Sequence, residues 1–263
     1  MDPGFRSLLY SEPRLYDLVF PDADGNTERM CREAFRRYLP MSPTAALDIG
    51  CGTGRHLAAL AETIPECWGV DLLETNVANA QSTRPQLHIV QGDMRRVRLG
   101  RVFDLVTSFG NALSYALTDA DLVDTMSTYA AHAHAGTLLI LDMLNARCYL
   151  DANGFTERME GRVNTPEFQA TSVATHSLDR AARILRRTRV WQIAGRPSVE
   201  DYAEYRLLYP DELVRLLEGA GFEGIVLHDN REFRSSDLKG TIDATPDLAG
   251  MRGRKLSAFA RKR

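Results

Sequence analysis

The stretch "ALDIGCGTGRHLAALAE", residues 46–62, sets Gly50, Gly52 and Gly54 within five positions, between an apolar run and a helix-like run. Glycine is costly inside regular structure because it gives up the most backbone freedom on ordering. Its concentration here marks a turn that needs positive φ, a ligand that approaches bare backbone, or both. A strand turning sharply into a helix points unpaired N–H groups outward, which is the general device for holding a nucleotide-like ligand. The dinucleotide pattern G-x-G-x-x-G/A does not fit, because its third small position, counted from Gly50, falls on Arg55. A P-loop does not fit either, since no G-K-[S/T] follows. Asp48, at the end of the apolar run, suits a ligand carrying an ammonium group better than a pyrophosphate.

Beyond residue 40 the chain alternates strand-like and helix-like runs, the pattern of a parallel sheet covered by helices. Strands read at 44–50, 67–72, 87–93, 103–109 and 136–144, with helices at 55–62, 74–82 and 119–135. From about 147 the pattern changes to polar, β-prone runs. "FQATSVATHSL" and "ARILRRTRVWQIAG" read as a hairpin turning at "DRAA", and 198–209 adds a further strand. Pro210 and two acids open a helix over 210–222, and "GIVLHD" and "KLSAFAR" close the sheet. Ahead of the sheet, "EPRLYDLVF" and "TERMCREAFRRYL" read as two helices.

With 263 residues, 44% hydrophobic and 25% charged, the chain suits one α/β domain with insertions. A net charge of −3 lacks the broad positive field of a nucleic-acid binder. Cys31, Cys51, Cys67 and Cys148 have no metal-ligand spacing, so no metal is expected. With no secretory leader legible and no apolar run long enough to span a bilayer, the expectation is a cytoplasmic protein with free thiols.

"LDIGCGTGRHLAAL" resembles the first motif of class I S-adenosylmethionine-dependent methyltransferases. "GVDLLETNVANA", "QGDMRRVRLGRVFDLV", "SFGNALSY" and "LYPDELVRLLEGAGF" follow in that family's order. The resemblance implies an α/β, Rossmann-like three-layer sandwich with a mostly parallel seven-stranded sheet, an N-terminal helical cap and a β-rich insertion after the fifth strand. The divisions would be 1–40 for the cap, 41–146 for the cofactor-binding core, 147–205 for the insertion and 206–263 for the completion of the core. It implies S-adenosylmethionine as cofactor, with Asp48 and the backbone of Gly50, Cys51, Gly52 and Gly54 at its methionine end. Asp71 would take the ribose hydroxyls, Leu72 and Met94 the adenine faces, and Asp93 the adenine amino group, with Ser108 and Phe109 near the sulfonium. An acid about 20 residues beyond the glycine turn has the reach for a ribose.

The acceptor is less legible, because displacement at a sulfonium asks the protein mainly for alignment and exclusion of water. No Asn-Pro-Pro-Tyr run follows the fourth strand, and "SFGNALSY" resembles small-molecule N- and O-methyltransferases, including the glycine/sarcosine group and the aminosugar enzymes of antibiotic pathways. Candidate catalytic groups are Tyr16 and His176, and candidate acceptor contacts are Asn111, Tyr115, Asn145 and Tyr205. Asp142, where the fifth strand ends, is a further candidate. His132 and His134, near a helix C-terminus, suit positive charge without a catalytic role. Arg183, Leu185, Arg187 and Arg189 share one strand face, which could receive an acidic acceptor or RNA but, given the net negative charge, reads as solvated. The expectation is methyl transfer to nitrogen or oxygen of a small molecule, with no membrane and no nucleic acid, and with the insertion serving as a lid or a homodimer contact. RNA or protein methylation, and a nonenzymatic cofactor-binding protein on the same fold, are the alternatives.

Overall fold

The computed structural model describes residues 7–21, 26–152, 154–229 and 247–263. The N-terminal segment carries two single-turn helices, α1 (Leu8–Ser11) and α2 (Tyr16–Val19), and the longer α3 (Asn26–Tyr38). Five strands follow, β1 (Ala45–Ile49), β2 (Glu66–Asp71), β3 (His88–Gln91), β4 (Phe103–Ser108) and β5 (Ala133–Leu144). Helices α4 (Arg55–Leu60), α5 (Glu74–Thr83) and α6 (Asp119–Ala131) lie between them. The chain then departs through β6 (Arg158–Asn164), β7 (Gln169–Asp179), β8 (Ile184–Ile193) and β9 (Val199–Arg206). It returns through α7 (Pro210–Gly219), β10 (Phe222–His228) and β11 (Lys255–Lys262). Parts of the anticipated cap (1–6, 22–25) and of the C-terminal section (230–246) lie outside the described residues.

The main sheet has the order β10-β11-β5-β4-β1-β2-β3, with β11 antiparallel to both neighbours and the other pairs parallel. Alternation along the buried strands supplies two cores. Leu139, Leu141 and Met143 pack with Leu122, Met126, Leu213 and Leu217 on one face. Leu138 and Ile140 pack with Cys31, Phe35, Leu57 and Ala80 on the other. This is the anticipated three-layer sandwich. Strand order reverses between β1 and β4, and such a switch point opens a crevice at the carboxyl ends of the strands. The four later strands form a separate antiparallel sheet, β6-β7-β8-β9.

Local chemistry explains where the elements begin and end. Thr118 caps α6 by accepting from Asp121 N at 3.0 Å, while the Asp121 carboxylate accepts from Thr118 N at 3.1 Å. The sequence placed the end of this helix at 135, but it stops at Ala131 and β5 starts at Ala133. The reason is His132, whose buried ring accepts from Leu99 N at 3.0 Å through Nε2. Burial also lowers its pKa, so His132 is a neutral strut and not a helix-end cation. The run "EPRLYDLVF" is not one helix; Pro13 starts a separate 3-10 turn. Strand β6 was not anticipated, because "RMEGRVN" is exposed almost throughout and has no apolar face to read. Among the described residues no helix is long and apolar enough to cross a membrane.

Candidate active site

Two cavities lie side by side where β1 and β4 end, with volumes of about 600 and about 570 Å³. Tyr10, Tyr16, Phe109, Gly110 and Tyr115 line both, so the two spaces meet there.

Gly50, Gly52, Asp71, Leu72, Asp93 and Met94 line the first cavity. Gly50 has φ +81°, and a Cβ on it would lie 2.6 Å from the Ala112 Cβ, so the turn after β1 and the turn after β4 meet only through glycine. Gly52 has φ +55° and nothing within 4 Å of where a side chain would stand. Its N–H donates to Asp71 Oδ2 at 2.8 Å, which ties the end of β2 to the glycine turn. Asp71 Oδ1 accepts from Leu73 N at 2.9 Å and from Asn76 Nδ2 at 3.0 Å. Burial raises the Asp71 pKa in spite of those donors. Beside it Leu72 is 44% exposed, a large apolar side chain with its face to open space. Arg95 grips Asp93 with Nε and Nη2 and reaches Asp121 at 2.9 Å, and this holds the Asp93 carboxyl below the usual range.

Several residues anticipated in this wall stand behind it. Asp48 is 2% exposed, accepts from Thr107 Oγ1 at 2.9 Å, and has its pKa pushed up to about 7, chiefly by burial. The Cys51 thiol packs under the turn against Gly69. Gly54 lets α4 start close to Leu87 and Ala80. Ser108 donates to Ile49 O at 2.8 Å and accepts from Tyr129 OH, beneath Phe109. Each has a buried partner inside the fold, which motif spacing cannot reveal. Arg95, Asp121, Tyr10, Asn76, Tyr202 and Glu204 line the cavity without having been anticipated. Of these, Asp121 is the one that a local pattern could have marked, through its capping distance from Thr118.

The second cavity holds Asn111, Tyr115, Asp142, Arg187, Arg189 and Tyr205, with Arg55, His56 and Lys255 at its walls. Tyr115 OH lies 2.5 Å from Tyr10 OH and 3.5 Å from Tyr205 OH, joining a core loop, the cap and the insertion. Asn111 takes φ +63° beside Gly110, and Asp142 accepts from its N–H; Lys255 Nζ stands 3.0 Å from Asp142 Oδ2. The Asn111 Oδ1 is buried without a partner among the described residues.

Arg187 and Arg189 correct the reading of a solvated arginine face. Their strand β8 turns that face onto the core, with Arg187 5.4 Å from the Tyr205 ring and Arg189 5.1 Å from the Trp191 ring. Neither forms an ion pair among the described residues, and Arg187 Nε is buried without an acceptor. Two other candidates leave the site. Asn145 is fully buried and donates to Gly253 O at 2.8 Å, pinning the approach to β11. His176 has Nδ1 3.0 Å from Thr156 O and lines neither cavity. Burial and its arginine neighbours lower its pKa.

The cap closes over the junction. Asp17 accepts from Thr53 Oγ1 at 2.9 Å and from Arg84 Nη2 at 2.7 Å, while Arg84 Nη1 donates to Thr53 O. On its other side, Leu8 N donates to the buried Asp201 of β9 at 2.6 Å. Tyr16 is thereby held at the meeting point of the two cavities, and burial raises its pKa.

Residues 46–136 match a family model described as a methyltransferase domain. A dTDP-3-amino-3,4,6-trideoxy-alpha-D-glucopyranose N,N-dimethyltransferase of Streptomyces venezuelae is 31% identical over 38% of this chain and 42% of its own length. A dTDP-3-amino-3,6-dideoxy-alpha-D-glucopyranose N,N-dimethyltransferase of Streptomyces fradiae is 31% identical over 49% and 51%. The chain spans about half the length of these two curated relatives. Among solved structures, Streptomyces venezuelae DesVI superposes with a TM-score of 0.77 at 19% identity, over 98% of this chain and 99% of that one. SAM-bound CalS10, an amino pentose methyltransferase from Micromonospora echinaspora, gives 0.73 at 21% identity over 100% of both chains. At such identities the likeness is one of fold.

Proposed function

We propose that this chain, whose residues 46–136 match a methyltransferase domain, transfers a methyl group from S-adenosylmethionine to the amino nitrogen of a small acceptor that also carries an anionic group. The observation that carries this reading is the pair of cavities joined at Tyr16, Phe109 and Tyr115, with acids and bare glycine on one side and uncommitted arginines on the other.

The first cavity fits the cofactor on its own chemistry. Asp71, tied to Gly52 N–H, still has acceptor capacity for hydroxyl groups, and exposed Leu72 with Met94 offers apolar faces for a purine. Gly52 leaves open space where an amino-acid moiety would approach. When bound, S-adenosylmethionine supplies an electrophilic methyl group with a leaving group already activated by its charge.

The residues of the chain have three tasks in this reading. Tyr16 and Tyr115 narrow the junction, so that one nucleophile faces the first cavity and water is kept away. Arg187 and Arg189 anchor an anionic handle of the acceptor, as guanidinium groups do for phosphate oxygens. With Asp142 already paired to Lys255, Arg55, Arg187 and Arg189 also disfavour a further positive charge, which lowers the pKa of an acceptor ammonium and favours the free amine. Tyr10, Tyr16 and Tyr115 do not suit the role of base, because burial raises their pKa. An acceptor of the kind named for the relatives, an aminosugar on a nucleoside diphosphate, carries both the amine and the anion.

The test is methyl incorporation from a labelled donor into dTDP-linked amino-deoxy sugars, compared with the same free sugars. Incorporation at nitrogen is expected, with kcat/KM about tenfold or more higher for the dTDP-linked form, the value of a charge-assisted contact. Cofactor binding without transfer to any amine would refute the reading.

A further inference from the structure

Among the described residues that line the second cavity, Asp142 is the one carboxylate, set among the cations Arg55, Arg187, Arg189 and Lys255. Its partner follows from sheet register. Ser257 of β11 lies opposite Asp142 and Lys255 opposite Leu144, so Lys255 is the diagonal neighbour of Asp142, within reach of a long side chain. Lys255 Nζ donates to Oδ2 at 3.0 Å. The other oxygen, Oδ1, accepts from Asn111 N at 2.5 Å, which sets the carboxylate beside Gly110, where the two cavities meet. A Cβ on Gly110 would lie 3.5 Å from Tyr16 OH, on the far side of that meeting point. Burial raises the Tyr16 pKa, opposed by Arg55 and reinforced by the Asp142 charge. Each Asp142 oxygen thus has one donor. An ionised carboxylate offers about four lone-pair sites, so acceptor capacity remains at the junction.

Given an acceptor amine in the second cavity, as the proposed function requires, we propose that Asp142 receives an N–H of that amine and that Lys255, by pairing with Asp142, keeps the amine uncharged until it reacts. An amine arrives from neutral water mostly as the ammonium ion, which has no lone pair to attack with. An unpaired carboxylate at the junction would hold it in that form, since an opposite charge within about 4–6 Å favours the charged state by about 1–3 pKa units. Lys255 cancels this attraction, and Arg55, Arg187 and Arg189 then act against the cation. Toward the acceptor Asp142 remains a hydrogen-bond acceptor, which orients one N–H and turns the lone pair to the first cavity. The ammonium gives one proton to solvent on binding. The lone pair then forms the N–C bond as the C–S bond leaves its electron pair on sulfur, and the N–H proton beside Asp142 departs to solvent after transfer. The other titratable groups around Asp142 are Tyr16 of α2, Asp48 of β1, Tyr129 of α6, and Tyr10, Tyr115 and Tyr205 of the cavity wall. His56 of α4 shares that wall, and its Nε2 accepts from Arg55 Nη2 at 3.1 Å.

The test follows the single-turnover rate against pH with a dTDP-linked amino-deoxy sugar at saturation, so that the profile reports the bound acceptor. The rate is expected to rise with pH as the bound ammonium loses its proton. Lys255→Met leaves the carboxylate unpaired and moves the midpoint up by about one pH unit or more. Asp142→Asn leaves the lysine unpaired and moves the midpoint down. The double variant Asp142→Asn/Lys255→Met restores the net charge, so the two shifts cancel; the tyrosines, Asp48 and His56 are the same in all four proteins. A second readout needs no turnover. Calorimetric titration of the S-adenosylhomocysteine complex with the same sugar, in buffers of different ionisation enthalpy, counts the protons released on binding. Near neutral pH the wild type is expected to release about one and Lys255→Met clearly fewer. Affinity for S-adenosylhomocysteine is expected to stay unchanged in all variants, because neither residue lines the first cavity. Midpoints indifferent to both substitutions, single shifts that the double variant does not cancel, or equal proton release would overturn the proposal and leave amine methylation standing. A wild type that methylates no amine would overturn both.

Discussion

Asp48 is buried under the glycine turn with one hydroxyl donor, and Asp71 and Asp142 add like charge nearby. Its pKa rises from the ordinary 3.8 to about 7, so folding binds the proton more tightly than the unfolded chain does. The sign follows directly. This stability is fully present below the unfolded value and is lost as pH rises through the folded one. A displacement of that size corresponds to about 4 kcal/mol between pH 4 and pH 8 at 1.36 kcal/mol for each pKa unit. Local relaxation and water entry bring the expected effect to about 2–4 kcal/mol. Asp48→Asn keeps the shape and removes the charge. Urea unfolding of both proteins from pH 4 to pH 8 should show the variant gaining that amount relative to wild type as pH rises. A difference that does not change with pH, or one that moves in favour of the wild type at pH 8, would refute the argument.

Replacing Arg187 and Arg189 by Ala should raise KM for a diphosphate-bearing acceptor by about tenfold or more. S-adenosylhomocysteine affinity should stay unchanged, and steady-state kinetics with calorimetry read both. Asp17→Ala removes the acceptor of Thr53 and Arg84, so residues 8–19 should exchange amide hydrogen faster. His176→Ala should leave kcat/KM within about twofold of wild type, since its ring meets the Thr156 carbonyl and neither cavity.

The parts of the fold that the sequence revealed are those where local pattern and burial coincide. The glycine turn, the apolar run of β5 and the Pro210 helix start each carry their signal within a few residues. Asp71 could be placed at the wall of the first cavity because its strand, its spacing and its acid type agree. Arg187 and Arg189 were misread, since a strand alternates its faces but does not say which one meets the core. Strand β6 was missed because an open edge has no buried face. Asp48, Asn145 and Ser108 look like site residues in a motif, yet their partners, Thr107, Gly253 and Tyr129, lie far away in the chain.

Everything proposed about function rests on a single grip, that of a carboxylate and a bare turn on an adenosyl compound. Calorimetric titration of the wild type and of Asp71→Ala with S-adenosylhomocysteine tests it most directly. One equivalent is expected to bind the wild type, with affinity about tenfold or more lower in the variant. A wild type that takes up none, or a variant that binds equally well, would contradict the account.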